Sequence, residues 1–365
     1  MTSPIPAKIN DSRFMRALRR EPVDRTPIWL MRQAGRYLPE YLATRAEAGD
    51  FLTLAGTPEM AAEVTLQPIR RYGFDAAILF SDILILPHEM GLGLGFTPGE
   101  GPKFERPLRD PAAIHSLPRL DPNEATGYVM DAVRLIRRDL PEDTPLIGFA
   151  GSPWTVATYM IEGGSSKDFK LAKKMLMEHP QDADALIRHL ADTTADYLLA
   201  QVEAGANVLM VFDSWGGALS PAMFQRFSLA GMQRIVDRIR EVSPHTPVIL
   251  FAKGCGGMLE SLADTGCQGL GVDWTTRLSD ARRRVGDRVA LQGNLDPVVL
   301  TTNPQVIEQA ATDVLEDFGP GSGHIFNLGH GITPDVPVEH VQVLVETVRR
   351  VSQRQSGQVG RSERP

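Results

Sequence analysis

Cysteine is scarce in this chain of 365 residues: Cys255 and Cys267 are the only two. Their spacing suits neither a zinc knuckle nor a redox CxxC pair, and so few thiols fit a reducing compartment. Long apolar runs are missing as well. No segment approaches the roughly 18 consecutive apolar residues of a membrane-spanning helix, and the opening MTSPIPAKINDSR lacks the apolar centre of a signal peptide. Positive charge is in deficit, with 38 Lys and Arg against 45 Asp and Glu, a net charge of -7. That balance argues against nucleic acid or an anionic membrane as partner. The expectation is a cytoplasmic protein, and any anionic ligand must be drawn in locally, against the overall field.

What is present is apolar matter enough for a large core, at 42% of residues, arranged in a recurring pattern. Short, nearly continuous apolar runs stand at 27–31, 75–80, 145–150, 207–212, 247–252, 268–272, 289–292 and 324–328. Each reads as a strand buried on both faces. The segments between them read as helices. Thr57-Pro58 starts one that Gly73 ends, with Pro68 expected to kink or shorten it. Asp121 and Glu124 form a capping box before Tyr128, Val129, Ala132, Val133 and Ile136 at helical spacing. Leu186, Ile187, Leu190, Tyr197 and Leu198 line another helix, stopping at Gly205. Eight buried strands alternating with helices predict an α/β fold: a single (β/α)8 TIM-type barrel over 11–351, with an open doubly wound sheet as the alternative. Residues 1–10 and 352–365 read as flexible termini.

In such a barrel the functional cleft lies at the C-terminal ends of the strands, and polar residues gather there. The first run is followed by Arg32 and Arg36, with Gly35 between them and no acid beside Arg32. Guanidinium forks in that position suit carboxylate or phosphate, although two isolated arginines also read as a solvated surface pair. Later ends carry Ser81-Asp82, then Gly151-Ser152-Pro153-Trp154-Thr155 leading to Tyr159, then Asp213-Ser214-Trp215. Further on stand Lys253 and Cys255, Asp273 and Trp274, Asn294 and Asp296, and finally Gly329-His330-Gly331.

Some signals carry less. Gly91-Leu92-Gly93-Leu94-Gly95 neither follows a strand closely nor opens a clean helix, so it reads as a mobile loop rather than a dinucleotide fingerprint. Pro98 and Pro102 follow it. Asp82 equally suits a backbone cap, and Lys253 reads as a site lysine or a solvated one. His330 with the two cysteines has the donor types for zinc, but the spacing lends no specific support.

The run Pro27-Ile28-Trp29-Leu30-Met31-Arg32-Gln33-Ala34-Gly35-Arg36-Tyr37-Leu38-Pro39-Glu40 resembles the first signature of the uroporphyrinogen decarboxylase family. Gly148-Phe149-Ala150-Gly151-Ser152-Pro153-Trp154-Thr155, continuing through Tyr159 to Gly164, resembles the second. Phe80-Ser81-Asp82-Ile83-Leu84, Phe212-Asp213-Ser214-Trp215-Gly216-Gly217 and Asn327-Leu328-Gly329-His330-Gly331 also fit, so the likeness runs from about Arg13 to Arg350. The resemblance implies a homodimeric barrel that needs no metal or organic cofactor. It implies removal of CO2 from the four acetate side chains of uroporphyrinogen III, giving coproporphyrinogen III for haem synthesis. It also implies substrate contacts from Arg32, Gln33, Ala34, Gly35, Arg36, Asp82, Tyr159, Ser214 and His330, with Phe212 packed on the macrocycle. Asp82, Tyr159 and Arg32 are the expected catalytic residues. The first proton donor stays open between an arginine, a water and His330. Two rivals are a zinc-dependent corrinoid or thiol methyltransferase of the same barrel superfamily, and a non-catalytic tetrapyrrole carrier.

Overall fold

The computed structural model describes residues 4–97 and 101–362. Nine strands are assigned among them: β1 (Ala77–Ile78), β2 (Leu94–Thr97), β3 (Gly101–Phe104), β4 (Leu146–Gly151), β5 (Val208–Asp213), β6 (Val248–Ala252), β7 (Gly269–Gly271), β8 (Ala290–Leu295) and β9 (His324–Leu328). Seven form one parallel sheet in the order β1-β4-β5-β6-β7-β8-β9. β4, β5, β6, β8 and β9 are almost wholly buried, as their continuous apolar sequence requires. Helices such as Pro58–Tyr72, Gly127–Asp139, Pro180–Ala204, Ala230–Val242 and Pro304–Phe318 connect them. The fold is the expected (β/α)8 barrel.

The eighth stave is not a regular strand. The run 27–31 makes a single bridge, Ile28 to Phe326 of β9. Phe326 N donates to Pro27 O (2.8 Å), and Trp29 N donates to Phe326 O (3.3 Å). On the other side Asp75 N donates to Ile28 O (2.9 Å), while Ile28 N donates to the Asp75 carboxylate (2.9 Å) rather than to a backbone carbonyl. Pro27 has no N–H to offer, and a side chain takes the next donor, so a ladder cannot form although the ring is closed. Asp75 is itself held by Arg25 (2.8 Å) and Arg13 (2.8 Å). Inside the ring, Trp29 Nε1 donates to Gln292 Oε1 on β8 (2.8 Å), and Met31 N donates to Asn327 Oδ1 on β9 (2.9 Å).

Some local expectations need amending. Pro68 lies buried inside the helix Pro58–Tyr72 without ending it; Gly73, with φ of 63°, does that. Asp121 caps through Asn123 N (2.9 Å), but Pro122–Ala125 is a separate turn before Gly127–Asp139. The glycine-rich stretch leads into an antiparallel hairpin, β2 with β3, in the connection that leaves the C-terminal end of β1. Pro98 lies outside the described residues. The hairpin is tied to the end of helix Pro153–Glu162, Phe104 N donating to Gly163 O (2.9 Å). A second hydrophobic cluster, including Leu84, Met90, Phe104, Trp154, Met160 and Phe169, packs beneath this insertion. At the termini, Ala7–Asn10 is helical, and the last helix runs from Val338 to Ser362.

Candidate active site

The turn after the closing stave is built around Gln33. Its fully buried side chain accepts from Leu30 N (3.1 Å) and donates to Ala76 O (3.1 Å). Its carbonyl accepts from the Tyr37 hydroxyl (2.9 Å). Gln33 therefore shapes the turn instead of offering its amide to a ligand. A Cβ on Gly35 would approach Arg32 O to 2.9 Å, so this close turn favours glycine. The turn places Arg32 in the left-handed region, φ 62°, a conformation that costs a non-glycine residue roughly 1–3 kcal/mol. Arg32 and Arg36 are both exposed. Among the described residues neither guanidinium has an ion-pair partner, in a chain where most arginines do.

Asp82 follows the end of β1. Its Oδ1 accepts from Leu84 N (2.8 Å), so the capping role is real but uses one oxygen. The residue is half-buried. Surrounding protein desolvates the carboxylate and pushes its pKa up; the Leu84 amide and the Arg32 charge oppose that. Tyr159, on helix Pro153–Glu162, senses the same two charges. Burial raises its pKa most, the Trp215 indole lowers it, Asp82 raises it and Arg32 lowers it. The hydroxyl stays protonated at neutral pH and is available as a donor.

After β9, His330 Nε2 lies 3.4 Å from Ser214 Oγ. Burial, then the charges of Arg32 and Lys253, push the His330 pKa down to about 3, against a weaker opposing pull from Asp273. These influences favour the uncharged imidazole at neutral pH. Aromatic rings continue the floor from His330: Phe251 at 5.9 Å, then Phe212 a further 6.2 Å on, then Phe149 at 5.7 Å, all between ring centroids. Phe212 thus sits within a row of aromatic rings that leads from His330.

Beneath Ser214 lies an unassigned group, Asp213. It is fully buried and accepts from Thr155 Oγ1 (2.6 Å) and from Ser228 Oγ. Desolvation raises its pKa while these hydroxyls favour the charged form. This network pins the loop carrying Ser214 and Trp215 to the start of helix Pro153–Glu162. A lone acid ending the apolar run 207–212 was the available signal. His330, Cys255 and Cys267 do not assemble: among the described residues no cluster of three or more His, Cys, Asp or Glu side chains is placed to hold a metal ion. Both thiols are buried, with pKa values raised by desolvation. A groove of about 730 Å³ lies elsewhere, along the helices Pro180–Ala204 and Ala230–Val242. Its charges neutralise one another, for example Arg226 with Asp184 (2.7 Å).

A parallel barrel carrying arginines without ion-pair partners, a capped carboxylate and a row of aromatic rings at its strand ends has the architecture of a (β/α)8-barrel enzyme. The family described as uroporphyrinogen decarboxylase (URO-D) matches residues 10–351. The chain is 59% identical over 348 residues to a uroporphyrinogen decarboxylase of Alkalilimnicola ehrlichii, covering 95% of each chain. It is 58% identical over 348 residues to one of Pseudoalteromonas translucida, covering 95% of this chain and 98% of that one. This chain belongs to the uroporphyrinogen decarboxylase family. It also superposes on a methyltransferase from Methanosarcina mazei with a TM-score of 0.77, over 93% of this chain and 97% of that one; at 23% identity, this shows the shared fold alone.

Proposed function

We infer that this enzyme decarboxylates the four acetate side chains of uroporphyrinogen III to methyl groups, yielding coproporphyrinogen III for tetrapyrrole synthesis. The observation that carries the reading is the family match across 10–351, with relatives of that name at 59% and 58% identity.

The cleft chemistry suits the reaction. Protonation of the ring carbon beside an acetate makes the pyrrole cationic. The electrons of the breaking C–C bond flow into that ring as CO2 leaves. The exocyclic carbon then takes a proton and the ring carbon returns one, so each acetate consumes one proton overall. Asp82 is placed to offset the cation and to accept pyrrole N–H groups, and a fixed charge in a desolvated cleft is the strongest such stabiliser. Arg32 and Arg36 would hold side-chain carboxylates, with Ala34 and Gly35 allowing backbone approach. Tyr159 and Ser214 would donate to carboxylates, with neutral His330 orienting Ser214, and Phe212 would pack on the macrocycle.

Anaerobic incubation with uroporphyrinogen III, oxidation of the products and porphyrin chromatography tests this. Ordered loss of carboxylates down to four is expected; unchanged uroporphyrin would leave the carrier alternative. Independence from cofactors belongs to the same proposal, and activity should survive exhaustive chelation; loss on chelation with recovery on adding zinc would favour the methyltransferase rival. A cytoplasmic homodimer completes the reading. Two free, buried cysteines and the lack, among the described residues, of a helix long and apolar enough to cross a membrane support the location.

A further inference from the structure

Lys253 immediately follows β6, and its backbone is held on both sides. Its N–H donates to Asp213 O (2.9 Å), and its carbonyl accepts from Gly217 N (3.0 Å). The side chain therefore starts from a rigid point on the rim where Ser214 and His330 stand. Its ammonium lies 5.2 Å from the Trp274 ring centroid. That ring is 38% exposed, whereas Trp29 and Trp154 are fully buried.

The acid next to Trp274 is already committed. Asp273 accepts from Gly254 N, Thr275 N and Thr275 Oγ1. Among the described residues Lys253 has no carboxylate partner; its ammonium sits over the indole face. Its charge nevertheless reaches His330, as does that of Arg32. Two cations without acids of their own thus act on one imidazole, in a chain of net charge -7. A lysine serving only the fold would gain by pairing with one of the many acids. A lysine held against an exposed indole keeps its charge for a ligand.

We propose that Lys253, fixed after β6 and held over Trp274, is a further carboxylate-binding residue of the cleft, and that with Arg32 it supplies the charge of an anionic subsite for a side chain of the polycarboxylate tetrapyrrole. This rests on the functional reading above. The two cations differ in kind. Arg32 offers a planar fork from a strained turn, whereas Lys253 is a point charge on a long stem. A point charge can follow a carboxylate whose position shifts as neighbouring acetates become methyls. Its contribution is the same in the ground state and the transition state, so it belongs in KM rather than kcat.

The test compares Lys253→Met and Lys253→Arg with wild type, by turnover of uroporphyrinogen III and by equilibrium binding of oxidised uroporphyrin, followed by porphyrin absorbance. For Lys253→Met, KM and the uroporphyrin Kd should each rise about tenfold, as expected for one charge-assisted contact. Its kcat should stay within about threefold of wild type, and Lys253→Arg should recover most of the affinity. The salt dependence of Kd should become shallower in Lys253→Met. Thermal melting confirms folding; should Lys253→Met melt early, Lys253→Gln carries the same comparison. A folded, uncharged variant with wild-type Kd, or one that loses kcat at unchanged KM, overturns the subsite. The binding arm needs no decarboxylation, so a wild-type protein that bound uroporphyrin but released no CO2 would fail the functional reading while the Kd ratio still decided this one.

Discussion

The stem of Arg32 lies against the bare α-carbon of Gly331. A Cβ at Gly331 would come within 2.4 Å of Arg32 Cδ and 3.0 Å of its Nε. His330-Gly331 and Arg32 thus form one unit, although they come from opposite ends of the chain. Because the atoms met belong to a flexible side chain, Gly331→Ala should fold normally and displace the guanidinium. KM for uroporphyrinogen should rise, in the direction of Arg32→Ala, which should lose roughly 2 kcal/mol or more of transition-state stabilisation. Steady-state kinetics with a melting curve checks this. Wild-type kinetics in both Gly331→Ala and Arg32→Ala would remove Arg32 from the site.

Asp82→Asn separates the cap on Leu84 N from the electrostatic role proposed for that residue. Asparagine can keep the cap on Leu84 N through its own oxygen but carries no charge. Loss of one preorganised electrostatic group typically costs ~10²–10³ in rate, so kcat should fall by that order while stability holds. Since the charged form is the working one, activity should be present above the Asp82 pKa and fade as pH drops through it. Burial raises that pKa, so the fading begins at a higher pH than for an exposed aspartate. Near-normal turnover in folded Asp82→Asn would leave only the cap.

Acid stability should report the buried histidines. His330 is held at about 3 and His324 at about 4 in the fold, against an ordinary value of 6.5. Below pH 6.5 the unfolded chain takes up protons that the folded chain refuses, so it binds more protons in that window. Stability is then fully present above about pH 6.5 and declines toward pH 3. His330→Gln should show a shallower fall in melting temperature between pH 7 and pH 4. Parallel curves for variant and wild type would contradict the neutral, desolvated imidazole.

Asp75 should matter for stability alone. Its buried carboxylate ties Arg25, Arg13 and the Ile28 amide at the closing stave. Breaking such a buried pair by removing one partner costs about 3–5 kcal/mol, so Asp75→Ala should unfold at much lower denaturant. Activity per folded molecule should survive, because no cleft residue depends on it directly. Destabilisation below about 1 kcal/mol, the range of a surface pair, would mean that the backbone bonds close the ring unaided.

The sequence by itself determined the buried parallel strands and the rim, with the barrel as first choice over an open doubly wound sheet. Continuous apolar runs have no other economical burial than a parallel sheet under helices, and the polar residues after them mark the strand ends wherever the chain closes. Arg32, Arg36, Asp82, Tyr159, Ser214 and His330 were therefore legible as rim residues before any coordinates. Only the tertiary structure decided what each side chain faces. Gln33 sits between exposed Arg32 and half-buried Ala34 yet turns wholly inward, because a tight turn obeys neither the helix nor the strand period. The run 27–31 reads as a strand, but Asp75 takes its donor, a competition set by a residue far along the chain. Lys253 was undecidable for a similar reason. Whether a charge is free depends on whether the acids near it are already engaged, and Asp273 is engaged by amides that only the folded loop brings to it.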